Sequence, residues 1–73
     1  MAAEVPIRGE RIRLGQLLKL AGVVDGGGEA KALLEAEPAL VNGEPESRRG
    51  RQLAPGDLVL VAGHELLVTA GGD

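Results

Sequence analysis

The sequence predicts an α+β fold in which two short helices pack on one side of a small, mostly antiparallel sheet. Two observations predict it. Leucines recur at helical spacing in the first half of the chain, whereas the second half contains short apolar runs separated by turn-forming pairs of residues. The chain has 73 residues, which is enough for one domain with a small core. We therefore expect a single domain over residues 10–70.

Both ends of the chain are expected to lie outside this domain. Residues 1–9 show no hydrophobic periodicity, and we expect them to form a flexible lead-in. Residues 10–13, Glu-Arg-Ile-Arg, alternate between polar and apolar as a short strand does, so the domain is expected to begin there. Residues 71–73, Gly-Gly-Asp, are expected to form a frayed tail.

Two helices are predicted by the spacing of their apolar residues and by the residues that end them. The buried positions of the first helix are Leu14, Leu17, Leu18 and Ala21. Gly22 ends this helix, because glycine readily adopts the left-handed conformation that closes a helix. The second helix extends from about residue 28 to residue 37, and Pro38 stops it. Its buried positions are Ala30, Leu33 and Leu34.

The pair Asn42-Gly43 predicts a β-hairpin with a two-residue turn. Both residues tolerate the positive φ angles that a type I′ turn requires, and residues 39–41 form the first arm. Pro45 on the returning arm has no backbone N–H group to donate, so we expect that arm to be an edge strand.

Two more strands follow a turn at Pro55-Gly56, whose residues suit the second and third positions of a type II turn. Residues 58–62 are apolar enough to form a buried strand. Gly63-His64 is then expected to turn the chain into a last strand over residues 65–69. These strands complete the predicted sheet.

Few groups in the sequence could carry catalysis or hold a metal. There is no cysteine, and His64 and Ser47 are the only histidine and the only serine. Disulfides, thiolate zinc sites and thiol nucleophiles are therefore excluded. Residues 26–28, Gly-Gly-Gly, precede a helix but lack the Lys-Ser/Thr ending of a nucleotide-binding loop, so they predict a turn between helices. We expect no enzymatic activity, no metal and no cofactor.

A cluster of three arginines follows the predicted hairpin: Arg48, Arg49 and Arg51. Their guanidinium groups repel one another unless an anion lies opposite, and we expect the nearby Glu44 and Glu46 to be solvated. The remaining cations are Arg8, Arg11, Arg13, Lys19 and Lys31. Because the net charge is −3, a cationic surface requires that these separate groups converge in space. The alternative is that the cluster is a solvated hairpin end.

Several segments in this order carry a family resemblance: residues 17–22, 29–31, 41–44 and 48–51, and Gly56-Asp57 before an apolar strand. Together they resemble the RNA-binding domain of the ribosomal protein S-four type, also called the alpha-L motif, over roughly residues 13–68. Residues 17–22 and 48–51 are similar to the small stand-alone bacterial members, the YbcJ and YaaA type, in which this domain is the entire protein.

The resemblance implies that two helices pack on a small sheet and that the helices and the adjoining hairpin bind structured RNA. Carried over by position, the RNA-binding residues would be Arg13, Lys19, Lys31, Asn42, Gly43, Arg48, Arg49 and Arg51. The chain departs from the family at Gly15, where the family has aspartate, and at Gly27-Gly28, where it has a Ser-Arg pair. It also has Pro38 where glycine is usual, and Gln52 where stand-alone members often have lysine.

We therefore expect a non-catalytic protein that binds structured RNA, such as ribosomal or transfer RNA, through phosphate and 2′-OH contacts. The chain has no Phe, Tyr or Trp, which argues against stacking on bases. We expect a monomer in the cytoplasm. The absence of cysteine fits a reducing cytosol, and no apolar run approaches the roughly 20 residues that span a bilayer. The alternative is a protein-interaction module whose arginine cluster or edge strand binds an acidic partner, for example a ribosomal protein.

Overall fold

Seven strands and two helices follow one another along residues 2–72, the part of the chain that the computed structural model describes. The strands are β1 (Ala3–Ile7), β2 (Ile12–Arg13), β3 (Ala39–Val41), β4 (Glu44–Glu46), β5 (Gln52–Leu53), β6 (Leu58–Val61) and β7 (His64–Ala70). The helices are α1 (Leu14–Leu20) and α2 (Gly27–Ala36). This order confirms the predicted α+β class.

The main sheet has five strands in the order β1-β7-β6-β3-β4. Only β1 and β7 are paired in parallel within the described residues, and the other pairs are antiparallel. Strands β2 and β5 form a separate antiparallel pair. Because β2 runs directly into α1, this small pair connects the first helix to the segment that follows the hairpin.

The core lies between the two helices and one face of the main sheet. Its largest fully buried side chains are Leu14, Leu17, Leu18, Leu34, Val41, Leu53, Val59 and Val68. Helix α1 contributes the first three of these, at the spacing that the sequence predicts. On α2, Ala30 and Leu34 are buried and Leu33 packs against the core from a partly exposed position. The two helices thus cover a single face of the sheet.

Two predicted turns have the expected backbone conformation. Asn42 and Gly43 both have positive φ, 51° and 86°, as a two-residue hairpin turn between β3 and β4 requires. Gly56 has a φ of 100°, and the N–H of Asp57 donates to the carbonyl of Ala54 at 3.0 Å, which closes the turn at Pro55-Gly56. As predicted, β4 is an edge strand of the main sheet.

The N-terminal segment differs from the flexible lead-in expected for residues 1–9. Strand β1 pairs with β7, and Val5 and Ile7 are buried in the core. This pairing joins residues at the two ends of the chain, so no local sequence pattern could reveal it. Pro6, which cannot donate a backbone hydrogen bond, also argued against a strand in this segment. The N–H of Gly72 donates to the carbonyl of Ile7 at 3.1 Å, so part of the expected tail is also bonded. Met1 and Asp73, the remaining members of these two segments, lie outside the described residues.

The turn before β7 lies one residue earlier than predicted. Ala62 and Gly63 have positive φ, 49° and 79°, and His64 is already the first residue of β7, paired with Val61. The predicted position was one residue too late, because alanine rarely adopts the left-handed conformation that Ala62 has here. Within residues 2–72, neither helix is long and apolar enough to span a membrane.

Candidate functional site

The arginine loop, defined as residues 47–51 between β4 and β5, is bound to the start of α1 through its backbone. The N–H of Leu14 donates to the carbonyl of Arg51 at 2.8 Å, and the N–H of Gly15 donates to that of Arg49 at 2.9 Å. The first N–H groups of a helix have no partner within the helix, so the loop supplies acceptors that α1 needs. The loop is therefore held in one position relative to the helices.

Glu46 at the end of β4 lies beneath this loop and binds two of its arginines. Its carboxylate accepts bonds of 3.1 Å from both Nε and Nη2 of Arg48, and one of 3.2 Å from Nη1 of Arg51. The backbone N–H of Arg48 also donates to it at 3.1 Å. Only 8% of Glu46 is exposed, against 76% of the Arg48 side chain. The expectation that Glu46 is solvated is wrong, and this carboxylate relieves part of the repulsion between the arginines.

The hairpin register explains why Glu46 points inward. Glu46 is paired with Ala39, and cross-strand partners share a face of the sheet. Ala39 is fully buried, so its partner faces the core side at the edge of the sheet. The Arg48 side chain and its backbone N–H lower the pKa of Glu46 from 4.5 to about 2, because both donate to the charged carboxylate. The same bonds raise the pKa of Arg48.

Glu46 should make the stability of the protein depend on pH in a defined window. Its pKa is lowered by folding, so its contribution is fully present above the unfolded value of 4.5 and is lost as the pH falls toward about 2. We expect Glu46→Gln to lower the free energy of unfolding at neutral pH, and this difference from the wild type to shrink as acid is added. Urea titrations at a series of pH values would measure it.

Glu44→Gln is the matched control, because Glu44 is on the same strand but exposed. We expect Glu44→Gln to have nearly the same free energy of unfolding as the wild type at neutral and at acid pH. An equal gap between the wild type and Glu46→Gln at neutral and acid pH would contradict the role assigned to the carboxylate.

Arg49 lies between the first turns of the two helices. Its Nη1 donates to the carbonyl of Gly27 at 3.1 Å, and a Cβ atom on Gly15 would lie only 3.3 Å from the Cβ of Arg49. A Cβ on Gly27 would lie 3.3 Å from Nη1 of the same arginine. Both glycines thus leave space for this side chain. No carboxylate of residues 2–72 forms an ion pair with Arg49, so its charge is not neutralised there.

Three adjoining surface grooves bring most of the cations together. The first contains Lys31, Arg48 and Arg49, the second Arg13, Lys19 and Arg49, and the third Arg8, Arg11 and Lys19. Arg49 lines the first two grooves and Lys19 lines the last two, so the three grooves adjoin one another. We name this surface the cationic band; its members are Arg8, Arg11, Arg13, Lys19, Lys31, Arg48 and Arg49. One carboxylate, that of Glu35, lines the first groove.

The structure does not place Asn42 and Gly43 in this band. They lie at the turn of the β3–β4 hairpin, whereas the arginine loop begins at its other end. The side chain of Asn42 donates to Oδ1 of Asp57 at 3.0 Å and accepts from the N–H of Leu58 at 2.9 Å. Its amide therefore attaches the hairpin turn to the start of β6. A role for these two residues in binding RNA stays a prediction.

The band also includes residues that the predicted RNA site left out. Arg8 and Arg11 are among the cations noted in the sequence but were not assigned to the site, because nothing local indicated that the segment before α1 folds back against it. Arg51, which was assigned, lies beside the band and is paired with Glu46. Among residues 2–72, no group of three His, Asp or Glu side chains is placed to hold a metal ion.

The sequence of the chain is similar to those of known proteins. A family profile described as the S4 domain matches residues 5–69 of the chain. A protein of Bacillus subtilis (strain 168), named probable ribosome maturation protein RlbA, is 51% identical over 63 residues. That similarity covers 86% of this chain and 89% of the relative.

Proposed function

The chain belongs to the S4 domain family, and on this basis we propose that it is a non-catalytic protein that binds structured ribosomal RNA along its cationic band. The observation that carries the proposal is the convergence of seven cations on one surface of a protein whose net charge is −3. The relative's name refers to ribosome maturation, which supports ribosomal RNA as the ligand.

The chemistry of the band suits a phosphate backbone better than bases. Arginine presents a planar fork that can bind two phosphate oxygens, while lysine acts as a point charge. The chain has no aromatic residue on which a base could stack. Folded RNA can instead be recognised by the spacing of its phosphates and by 2′-OH groups in the shallow groove of the A-form helix. We therefore assign recognition to RNA shape.

The cations of the band have different roles in this proposal. Six members of the band have no ion-pair partner among residues 2–72, so their charges are available to phosphates: Arg8, Arg11, Arg13, Lys19, Lys31 and Arg49. Arg48 is bound to Glu46 but is 76% exposed, and it can contact a phosphate while keeping its carboxylate partner. Arg51, at 35%, is less accessible and mainly supports the loop. These six unpaired cations are expected to provide most of the binding.

A competing function is docking of an acidic protein or addition of a partner strand at the edge strand β4. The turn at Asn42-Gly43 makes Val41 and Glu44 a hydrogen-bonded pair, so Leu40 and Pro45 form the non-hydrogen-bonded pair that follows. In such a pair the backbone N–H and C=O groups of residue 45 point away from β3, toward the free edge of β4. Pro45 has no N–H, so this edge lacks a donor there. This arrangement disfavours strand addition and leaves RNA binding as the better-supported function.

The proposal predicts a steep dependence of RNA affinity on salt. If about four cations meet phosphates of duplex RNA, the logarithm of the affinity should fall with the logarithm of salt concentration at a slope of about −3 to −4. A fluorescence anisotropy titration with an RNA hairpin, an RNA duplex and a DNA duplex of matched sequence would measure this slope. Tighter binding of the RNAs than of the DNA would support recognition of A-form geometry.

Failure to bind any of the three nucleic acids at low salt would contradict the proposal and favour the protein-partner alternative. Equal binding to RNA and DNA would retain the electrostatic contact but refute recognition of RNA shape.

A further inference from the structure

The main sheet carries charge of one sign. Strands β1, β3, β4, β6 and β7 contain the glutamates Glu4, Glu44, Glu46 and Glu65, and they contain no lysine or arginine. Of these, Glu46 faces the helix side and is bound to Arg48 and Arg51, whereas Glu4 and Glu65 lie on the face opposite the helices. The cationic band is formed instead by the helices, the arginine loop and the segment from Arg8 to Arg13. The protein thus separates its cations from its sheet, and the two surfaces should attract different partners.

The sheet face opposite the helices is apolar at its centre. Leu40 and Leu60 are cross-strand partners, and they are 37% and 38% exposed. Pro45 extends this row on β4, and Leu58 is paired with Leu67 in the next row. No helix or strand of residues 2–72 covers this face, because α1 and α2 both pack on the other one. Two large aliphatic side chains at adjacent positions therefore remain in contact with water.

Carboxylates flank the apolar row on this face, and Glu65 on β7 is the cross-strand partner of Leu60. The groove that contains Leu40 and Leu60 is also lined by Glu37, His64 and Glu65, and it has no lysine or arginine. Toward the β1 edge of the same face, Glu4 is the cross-strand partner of Leu67. An occupant of this face must match leucines at the centre and carboxylates at the edge.

We propose that the uncovered sheet face is a docking surface for a basic protein segment that presents apolar side chains between lysines or arginines. Charge complementarity selects this occupant. RNA is repelled by the carboxylates, and a second copy of the chain would bring the same carboxylates against each other. A partner lies across the face rather than along the edge of β4, because Pro45 leaves that edge without a donor at its centre. The protein would then hold RNA on the cationic band and a basic protein on the sheet.

An NMR titration of the isotope-labelled protein tests this surface. The probe is a synthetic amphipathic peptide of leucine and lysine, and the control probe is a peptide of leucine and glutamate of equal length. We expect the lysine peptide to shift the amide resonances of Leu40, Leu60 and their neighbours, and the glutamate peptide to leave them unchanged.

Two variants separate the apolar and the electrostatic parts of the surface. Leu40→Ser with Leu60→Ser should weaken binding of the lysine peptide about tenfold or more, and Glu37→Lys should weaken it by a smaller factor. Leu20→Ser is the matched control, because Leu20 is 56% exposed but lines the cationic band. It should not change binding of the lysine peptide, and the double serine variant should not change binding of RNA.

Three results would overturn the proposal. The lysine peptide could leave the sheet resonances unchanged, or the glutamate peptide could bind the same face equally well. Alternatively, sedimentation could show a dimer that Leu40→Ser with Leu60→Ser abolishes, in which case the occupant is a second copy. The amide spectra of the variants establish that they are folded, so a lost interaction would not reflect unfolding.

Discussion

Replacing Arg49 by glutamate is expected to lower the affinity for structured RNA about tenfold or more at low salt. Arg49 lines two of the three grooves of the cationic band and has no carboxylate partner among residues 2–72. The substitution removes a phosphate contact and places a negative charge at the centre of the band. The salt slope of binding should become shallower by about one unit or more. Anisotropy titrations across a series of salt concentrations would measure both quantities.

The stability of this variant should change little, since the Arg49 side chain makes a single exposed hydrogen bond, to the carbonyl of Gly27. We expect a loss of about 1 kcal/mol or less in the free energy of unfolding. Arg49→Gln removes the charge without reversing it and should have an intermediate effect on RNA affinity. His64→Glu changes the net charge by the same one unit as Arg49→Gln, but at the groove of Leu40 and Leu60.

His64→Glu is therefore the control for net charge. If it weakens RNA binding as much as Arg49→Gln, the effect comes from total charge and not from the cationic band. If Arg49→Glu leaves RNA affinity unchanged, Arg49 does not contact the ligand and the proposed interface is wrong.

Arg48 needs a different interpretation from Arg49, although the two are neighbours in sequence. Arg48→Ala removes both guanidinium bonds to Glu46, so this substitution should affect stability as well as binding. A loss of RNA affinity in that variant would not by itself identify a phosphate contact. The structure thus makes Arg49 the more informative position, because its substitution removes charge with little change in packing.

Local signals in the sequence were sufficient to predict the fold class. The leucine spacing of α1, the glycine that follows it and the pair Asn42-Gly43 each determine a local conformation, and each has the predicted form. The family resemblance is also confirmed by the S4 domain match over residues 5–69. The helix, its glycine end and the hairpin turn depend on interactions between residues close in sequence, so a single sequence is enough to predict them.

The features that were not predicted depend on contacts between residues far apart in sequence or on which face of a strand a side chain occupies. Strand β1 exists because its residues pair with β7 at the other end of the chain. The inward position of Glu46 was in principle accessible, since a two-residue turn at Asn42-Gly43 fixes its register opposite Ala39. Applying that register would have identified the carboxylate that binds Arg48 and Arg51. The convergence of the cationic band, in contrast, required the packing of both helices.

Gly15 shows how a departure from the family pattern affects the site. The family has aspartate at this position, and here a Cβ atom would lie 3.3 Å from the Cβ of Arg49. A carboxylate so close to Arg49 would pair with its guanidinium and compete with phosphate. Glycine has no carboxylate to pair with Arg49, and its backbone N–H donates to the carbonyl of Arg49. Under the proposed function, this departure would leave Arg49 able to bind phosphate.

Replacing Leu17 by alanine is expected to lower the free energy of unfolding by about 2–5 kcal/mol. Leu17 is fully buried between α1 and the sheet, so the substitution removes apolar contacts and leaves a cavity. Domains of this kind are stable by about 5–15 kcal/mol, and a small core should place this one near the lower limit. The variant should therefore be partly unfolded at physiological temperature. Urea titration of the helical circular dichroism signal would measure the change.

Leu20→Ala is the matched control, because it is the same substitution on the same helix at a side chain that is 56% exposed. It should cost less than about 1 kcal/mol, since little apolar surface returns to water. If both variants lose equal stability, the helix face that contains Leu17 is not the face that packs on the sheet.

Leu17→Ala should also weaken RNA binding at temperatures where it unfolds, because α1 holds the arginine loop through the N–H groups of Leu14 and Gly15. An RNA that binds only the folded state should then raise the urea midpoint of this variant. Such a shift would show that RNA binding depends on the folded core.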